Sequence, residues 1–263
     1  MKVYRKVFRG KEKGRTFWKY RYLKEKSFYS QANELDLNLL EVKKFKNDSI
    51  VFEKVEERKE SLSKGHKEQV VSDLVRMQVS GRPSFRIKIF LLDKLIDSLP
   101  ARYFRGAIIG IRKTLGFWAM LKTVKIYFKA SKKNDKFNTS LTLHNDFRIK
   151  NLIITEDEVY IIDFESVTET KKWILLDIIK YCFHVRTFKF KTRFFETYLQ
   201  EVRNHVEIDK IDLPTHIRVI ILKLYADRFT KADNPRKPEV DFVEKVLLDD
   251  KAFKKWYNEC VSI

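Results

Sequence analysis

The polar residues between His144 and Glu165 constrain the fold of this 263-residue chain more than any other feature of its sequence. The stretch "LHNDFRIKNLI" places a histidine, an aspartate and an asparagine where a short apolar strand, Thr139 to Leu143, ends. Downstream, "NLIIT" and "EVYIIDF" are rich in β-branched and aromatic residues and predict a hairpin that ends on Asp163. Carboxylates that follow two successive strands predict a metal site.

These residue types suit the transfer of a phosphoryl group. The reaction needs a hydroxyl held in line with the terminal phosphate, and cations that offset the charge on the phosphate oxygens. Magnesium prefers hard oxygen ligands, of which the protein supplies few. Asn151 and Asp163 offer such oxygens, which leaves Asp146 to orient an acceptor hydroxyl and take its proton.

The spacing of the motif resembles that of a known family. Asn151 follows Asp146 of the His-Asn-Asp triplet by five residues, and Asp163 of "IDFE" follows it by seventeen. This pattern resembles the catalytic core of kinase-fold phosphotransferases, in particular the aminoglycoside phosphotransferase and choline kinase group, which also includes bacterial lipopolysaccharide-core kinases. The resemblance implies ATP and Mg²⁺ as cofactors, with Asp146 as base or hydroxyl-positioning residue and Asn151 and Asp163 as metal ligands.

The resemblance also suggests roles for the neighbouring residues. Arg148 is favoured over Lys150 as a cation that neutralises charge in the transition state, because of its place in the motif. His144 is predicted to brace the loop by hydrogen bonding. Glu165 either helps to hold the metal or pairs with a nearby cation. Asp177 in "LLDIIKYCF" resembles a structural aspartate of the family.

The family fold is α+β and protein-kinase-like, with two lobes. Residues 1–56 alternate like strands around one helical stretch, "EKSFYSQANELDLNLL", and predict a small N-terminal nucleotide-binding lobe. Residues 57–263 are mostly helical and predict a larger C-terminal lobe that carries the catalytic loop and the hairpin. The apolar region Phe104 to Phe128 contains five cations, which argues against a membrane span and for a core helix or helix pair.

The N-terminal residues resemble the nucleotide half of the family. "GRTFWKYRYL" resembles the strand whose lysine reaches the phosphates, with Lys19 in that place and Glu34 as its partner. "SIVFEKVE" resembles the strand before the hinge, where backbone groups of Glu53 and Val55 would meet the adenine. The lobe is predicted to be shortened, since only eight residues precede the turn "RGKEKG". The glycines of that turn either wrap phosphate or serve a plain turn.

The net charge of +19 favours anionic partners. The predicted acceptor is a hydroxyl of an anionic glycan or glycolipid, such as a lipopolysaccharide core, and nucleic acid stays open as a partner. "VRTFKFKTRFF", from Val185 to Phe195, interleaves cations with aromatic residues and suits an acidic membrane surface, or is an ordinary amphipathic element. A lysine-rich composition without functional meaning is the alternative explanation of the charge.

The cysteines and the N-terminus predict the compartment. Cys182 and Cys260 are too few for a disulfide framework, and the basic N-terminus lacks the apolar stretch of a secretory signal. A cytoplasmic protein, with peripheral contact at the inner face of the membrane, is the prediction. Two alternative functions are open: an atypical protein kinase, and a pseudokinase that binds membrane or nucleic acid.

Overall fold

The computed structural model describes residues 3–7, 15–32, 35–57, 62–80, 107–133, 141–170, 173–232 and 234–261. It combines helices with short antiparallel strand pairs. By internal contacts the chain divides into two compact units, one of residues 1–88 with 138–171 and one of residues 89–137 with 172–263. The first unit therefore includes the hairpin as well as the N-terminal strands, and a lobe boundary after residue 56 stays a prediction.

The first unit contains a three-stranded antiparallel sheet. Strands β1 (Val3–Val7), β2 (Val42–Lys46) and β3 (Ser49–Glu53) form where the alternating sequence predicts strands, and they lie in the order β1-β3-β2. Helix α1 (Arg15–Ala32) follows β1 in the chain. On the central strand, Ile50 and Phe52 are buried, which anchors the sheet in the core of this unit.

The strand predicted for "RTFWKYRYL" is wrong, because this segment forms the first half of α1. The buried residues of the helix recur every three or four positions at Tyr22, Glu25, Phe28, Tyr29 and Ala32. That is the helical period, and a carboxylate in its middle conceals it from a search for apolar residues. The helix predicted to run to Leu40 ends eight residues earlier, at Ala32.

The predicted hairpin is present and is held against helix α2 (Lys64–Val79). Its strands are β5 (Leu152–Ile154) and β6 (Val159–Ile161), and β4 (Leu141–Leu143) pairs with β7 (Thr168–Thr170). The amide of Gln69 on α2 accepts a hydrogen bond from the Val159 N–H at 3.1 Å and donates to its carbonyl at 3.4 Å. Two 3₁₀ turns, Ile149–Asn151 and Phe164–Ser166, carry Asn151 and Glu165, and Asp163 directly precedes the second turn.

The second unit is helical, as predicted for the region after Trp173, with one small hairpin. A π-helical turn (Ala107–Ile111) leads into α3 (Arg112–Lys133). After Trp173 the chain forms α4 (Leu176–Cys182), the hairpin of β8 (Phe183–His184) and β9 (Lys189–Phe190), and α5 (Thr192–Arg203). A 3₁₀ turn (Ile208–Lys210), α6 (Leu213–Lys231), α7 (Lys237–Phe242), a second π-helical turn (Val243–Leu247) and α8 (Asp250–Cys260) follow. Helix α6 is central to this unit, since most of its residues are buried.

Gly110 permits the closest approach in this unit. A Cβ atom added at Gly110 would lie 2.1 Å from the carbonyl oxygen of Ala226 on α6. Only glycine allows the turn before α3 to pack this closely on the backbone of α6.

The basic segment Val185 to Phe195 packs its aromatic residues inside the unit. Phe188 stacks on Phe242 at 4.5 Å, and Phe194 and Phe195 are buried, whereas the cations of the segment are exposed. The segment is thus an amphipathic element with its apolar side in the core, the second of the two predicted possibilities. Among the described residues, no helix is both long and apolar enough to cross a membrane.

Candidate active site

Lys6 on β1 lies at the centre of the charged cluster in the first unit. Its Nζ is 2.6 Å from Oε2 of Glu25 on α1 and 2.5 Å from Oδ1 of Asp163. Burial acts to lower the pKa of Lys6, but the charges of Glu25 and Asp163 outweigh it, so the pKa is raised. The ammonium group therefore stays charged and ties the first strand, the first helix and the end of the hairpin together.

Glu165 completes the cluster and has a cation of its own. Its Oε1 lies 2.6 Å from Nη1 of Arg21, and its Oε2 lies 4.0 Å from Nζ of Lys6. One carboxylate oxygen from each of Glu25, Asp163 and Glu165 lies within 4.8 Å of the others, a separation that a divalent cation could bridge. Glu165 thus combines both predicted possibilities, since it pairs with a cation and stands in a group that could bind metal.

Glu25 is the buried member of this cluster. Its side chain is fully buried, and its Oε1 has no hydrogen-bond partner among the described residues, although Oε2 contacts Lys6. Burial raises the pKa of Glu25 to about 7, and the positive charge of Lys6 limits the rise. A buried carboxyl with one unsatisfied oxygen destabilises the folded state. Stability of the fold therefore does not explain why a glutamate occupies this position.

Asp163 is held in a left-handed backbone conformation, with φ 70° and ψ 56°. Such conformations of non-glycine residues cost energy and concentrate at functional sites. The next residue, Phe164, is fully buried and stacks on Phe28 of α1 at a ring distance of 3.9 Å. This packing fixes the backbone beside Asp163 and points its carboxylate at Lys6.

Asp146 receives contacts from three neighbours in the same loop. Its Oδ1 lies 2.9 Å from Nε of Arg148, and its Oδ2 lies 3.2 Å from Nζ of Lys150. The amide nitrogen of Asn151 donates to the Asp146 carbonyl at 2.8 Å and to its Oδ2 at 3.3 Å. Arg148 and Lys150 thus both contact the carboxylate, and the preference for Arg148 as the charge-neutralising cation stays a prediction.

His144 connects this loop to the strand that leads to Asp163. Its Nδ1 accepts a hydrogen bond from the Asp146 N–H at 3.3 Å, so the hydrogen is on Nε2, which donates to the Ile162 carbonyl at 2.8 Å. The ring is fully buried. His144 therefore braces the loop in the neutral form, consistent with the predicted structural role.

A cavity of about 140 Å³ joins the charged cluster to the hairpin. Its lining includes both predicted metal ligands, Asn151 and Asp163, together with Lys6 and Glu25, and its apolar wall includes Phe52 and Leu40. The amide nitrogen of Asn151 is committed to Asp146, so its oxygen is the atom that can act as a ligand. The motif residues of the hairpin and the N-terminal strands thus line one cavity.

The predicted nucleotide residues divide into three groups. Lys19 is exposed on α1, and the strand that would have positioned it does not exist. Glu34 and the turn "RGKEKG" lie outside the described residues. Glu53 ends β3, where its N–H donates to the Glu41 carbonyl at 2.9 Å, and the adenine contacts of Glu53 and Val55 stay a prediction.

Sequence reasoning missed Lys6 and Glu25. A signal was available, since Lys6 lies within an alternating strand, "VYRKV", and Glu25 occupies a core position of the helical pattern in α1. An acidic residue at a core position of a helix predicts a buried partner of opposite charge. The aromatic residues around Lys19 suggested a strand that the structure does not form, and the role of Lys19 itself stays a prediction.

Comparison with solved structures identifies the fold. The ADP-bound aminoglycoside phosphotransferase APH(2'')-Ib is similar over 94% of this chain and 86% of its own, with a TM-score of 0.59 and 15% identity. A microcompartment-associated aminopropanol kinase is similar over 92% and 81%, with a TM-score of 0.61 and 14% identity. Amicoumacin kinase hAmiN, solved with AMP-PNP and Ca²⁺, is similar over 96% and 80%, with a TM-score of 0.55 and 11% identity.

No family model matches the chain, and no curated protein does. The structural likeness confirms the predicted α+β, protein-kinase-like fold of the aminoglycoside phosphotransferase group.

Proposed function

We propose that this protein is an ATP- and Mg²⁺-dependent phosphotransferase that phosphorylates a hydroxyl group of a small molecule or glycan. The observation that carries the proposal is the cavity whose lining brings Lys6 and Glu25 together with Asn151 and Asp163. The structurally similar proteins support it, since their names describe kinases and two were solved with adenine nucleotides.

The donor set around this cavity fits magnesium. Asn151 and Asp163 present an amide oxygen and a carboxylate, which are hard ligands few enough to leave coordination positions for phosphate and water. Magnesium, when bound there, would offset the charge that develops on the transferred phosphoryl group. The unsatisfied oxygen of Glu25 and the strained backbone of Asp163 support a site that is completed by ligands.

The proposed mechanism assigns a role to each of four residues of the site. Lys6 contacts the nucleotide phosphates, and Glu25 keeps its ammonium group positioned, so these two residues replace Lys19 and Glu34 in our assignment. Asp146 accepts a hydrogen bond from the acceptor hydroxyl and takes its proton as the oxygen attacks. Arg148 neutralises charge at the transferred group.

With Lys6 as the phosphate lysine, the turn "RGKEKG" comes after the lysine strand in the chain. A glycine-rich phosphate loop would precede the lysine strand, so the glycines of this turn are not proposed to form one. The backbone of Glu53 and Val55 is still proposed to meet the adenine.

The acceptor is proposed to be anionic. The net charge of +19 opposes the binding of cationic acceptors and favours a glycan or glycolipid that carries phosphate or carboxylate groups. A lipopolysaccharide-core sugar is one acceptor of this chemistry.

The test is nucleotide-dependent thermal stabilisation with and without magnesium. A ligand that binds only the folded state raises stability by mass action, so ATP with Mg²⁺ should raise the melting temperature of the wild type. Asp163→Asn should abolish the magnesium-dependent part. The matched control is Asp157→Asn, the same change at an exposed residue between the hairpin strands, which should respond like wild type.

The same assay distinguishes the two candidate lysines. Lys6→Met should weaken ATP binding by about tenfold or more, as expected for the loss of a charge-assisted contact worth about 1.5 to 3 kcal/mol, whereas Lys19→Met should leave it unchanged. Asp146→Asn should reduce turnover more than nucleotide binding. No stabilisation by millimolar ATP in any variant would reject the proposed function in favour of a pseudokinase.

A further inference from the structure

Helix α3 of the second unit exposes large apolar side chains that a folded core would be expected to cover. Trp118 is 76% exposed, Phe128 52%, Phe117 51% and Leu121 39%. Phe117 and Trp118 contact each other edge to face at 5.8 Å. Isolated exposed apolar residues are ordinary, but four on one helix form a patch that indicates an interaction surface.

The patch occupies one side of the helix together with three lysines. The regular helix continues from Phe117, after a break at Gly116 where φ is 84°. At about 100° per residue, the four apolar residues and Lys122, Lys125 and Lys129 fall within an arc of about 140°. The opposite side is buried in the unit and includes Met120, Thr123, Tyr127 and Ala130.

All charged residues in and just before helix α3 are basic. Residues 107–133 contain seven cations and no acidic residue: Arg112, Lys113, Lys122, Lys125, Lys129, Lys132 and Lys133. A second copy of the same face would bring like charges together, which disfavours self-association through it. The partner should therefore be anionic and should also accept apolar side chains.

We propose that this side of α3, which we call the α3 face, binds the surface of an anionic lipid bilayer. Tryptophan and phenylalanine enter the boundary between headgroups and acyl chains, while lysines next to them reach lipid phosphates and keep their charge in water. Leu121 favours lipid over nucleic acid, because an aliphatic side chain cannot stack on a base as an aromatic ring does. The inference rests on the second unit alone and does not require the proposed function.

The experiment is co-sedimentation of the full chain with vesicles of phosphatidylcholine, with and without about 30% phosphatidylglycerol. The wild type should bind the anionic vesicles and not the neutral ones. Replacing Trp118, Leu121 and Phe128 with serine should abolish binding. Replacing Lys122, Lys125 and Lys129 with glutamine should lower the partition coefficient by about 100-fold, if each cation near the surface contributes about fivefold.

The control replaces three exposed cations elsewhere in the unit, Lys189, Arg193 and Lys254, with glutamine. This variant has the same net charge as the lysine variant of the α3 face but should bind like wild type. Equal loss in both charge variants would mean that overall charge, and not this face, attracts the vesicles, and would overturn the proposal.

Tryptophan fluorescence adds a readout that locates the contact. Trp173 and Trp256 are buried, whereas Trp118 is exposed. A blue shift of the emission on adding anionic vesicles should therefore disappear in Trp118→Phe, which should still bind, and this loss would assign the shift to Trp118. Absence of vesicle binding by the wild type overturns the proposal. In that case, loss of RNA binding in the serine variant would assign the face to nucleic acid, and loss of concentration-dependent dimers would assign it to self-association.

Discussion

At the scale of single residues, Glu25 links the stability of the fold to the site. A carboxyl that accepts one hydrogen bond from Lys6 and leaves its other oxygen unsatisfied gains less than it loses by burial, and burial raises its pKa to about 7. A designed core would hold an apolar residue there. The presence of a carboxylate next to Lys6 and Asp163 is therefore better explained by positioning of the lysine than by stability.

This pKa predicts how stability depends on pH. Between pH 4.5 and about 7 the folded state binds a proton at Glu25 that the unfolded state has lost, so the free energy of unfolding should fall as pH rises through this range. The full contribution is of the order of 3 kcal/mol, and it should be constant above pH 8. Glu25→Gln should flatten this part of the curve, measured by urea denaturation followed by far-UV circular dichroism at each pH.

Asp73→Asn is the control for that measurement. Burial also raises the pKa of Asp73, to about 6, so this variant should lose slope below pH 6 and keep it between pH 6 and 7. A Glu25→Gln variant as pH-sensitive as wild type between pH 6 and 7 would contradict the assignment of a raised pKa to Glu25.

At the scale of elements, the part of the site within a few residues of the motif could be predicted from sequence. Residues 141–165 could be interpreted because a strand, a loop and a hairpin follow one another there with short-range spacing, and residues 139 and 140 of the predicted strand lie outside the described residues. The pairing of Lys6 with Asp163 could not be predicted, because the two residues are 157 positions apart in the chain and nothing local marks the pair. The strand wrongly predicted around Lys19 reflects tertiary context, since packing made an aromatic-rich segment helical.

The packing of the π-helical turn on α6 predicts a large effect from one methyl group. Gly110→Ala would bring a Cβ to 2.1 Å from the Ala226 carbonyl oxygen, so the turn or α6 must shift. We expect a loss of about 2 to 4 kcal/mol in the free energy of unfolding, as for other overpacked core positions. Chemical denaturation followed by tryptophan fluorescence would measure it, since Trp173 and Trp256 are buried in the same unit.

Gly65→Ala should have the opposite effect on stability from Gly110→Ala. Gly65 lies in the first turn of α2, and no atom lies within 4 Å of an added Cβ there. Alanine should stabilise the helix by about 0.5 to 1 kcal/mol. If both variants lost stability alike, the close approach at Gly110 would not be the cause of its effect.

At the scale of the whole molecule, the excess of 55 basic over 36 acidic residues is the dominant electrostatic property. Ion pairs such as that of Lys6 with Glu25 and Asp163 leave the excess of basic residues unneutralised, and pairs between exposed side chains contribute little to stability. The remaining positive charge repels itself in the compact state. The same excess attracts anionic ligands, so it supports both the proposed acceptor and the α3 face.

Self-repulsion predicts that salt stabilises this protein. Raising KCl from about 20 to 200 mM shortens the Debye length from about 20 Å to about 7 Å, which screens repulsion between distant exposed cations more than it weakens buried pairs. The melting temperature should therefore rise, by several degrees. The variant with Lys189, Arg193 and Lys254 changed to glutamine lowers the net charge from +19 to +16 and should respond less steeply. A melting temperature that falls with salt would mean that attractive ion pairs outweigh the repulsion, and the charge excess could then not be used to argue for anionic partners.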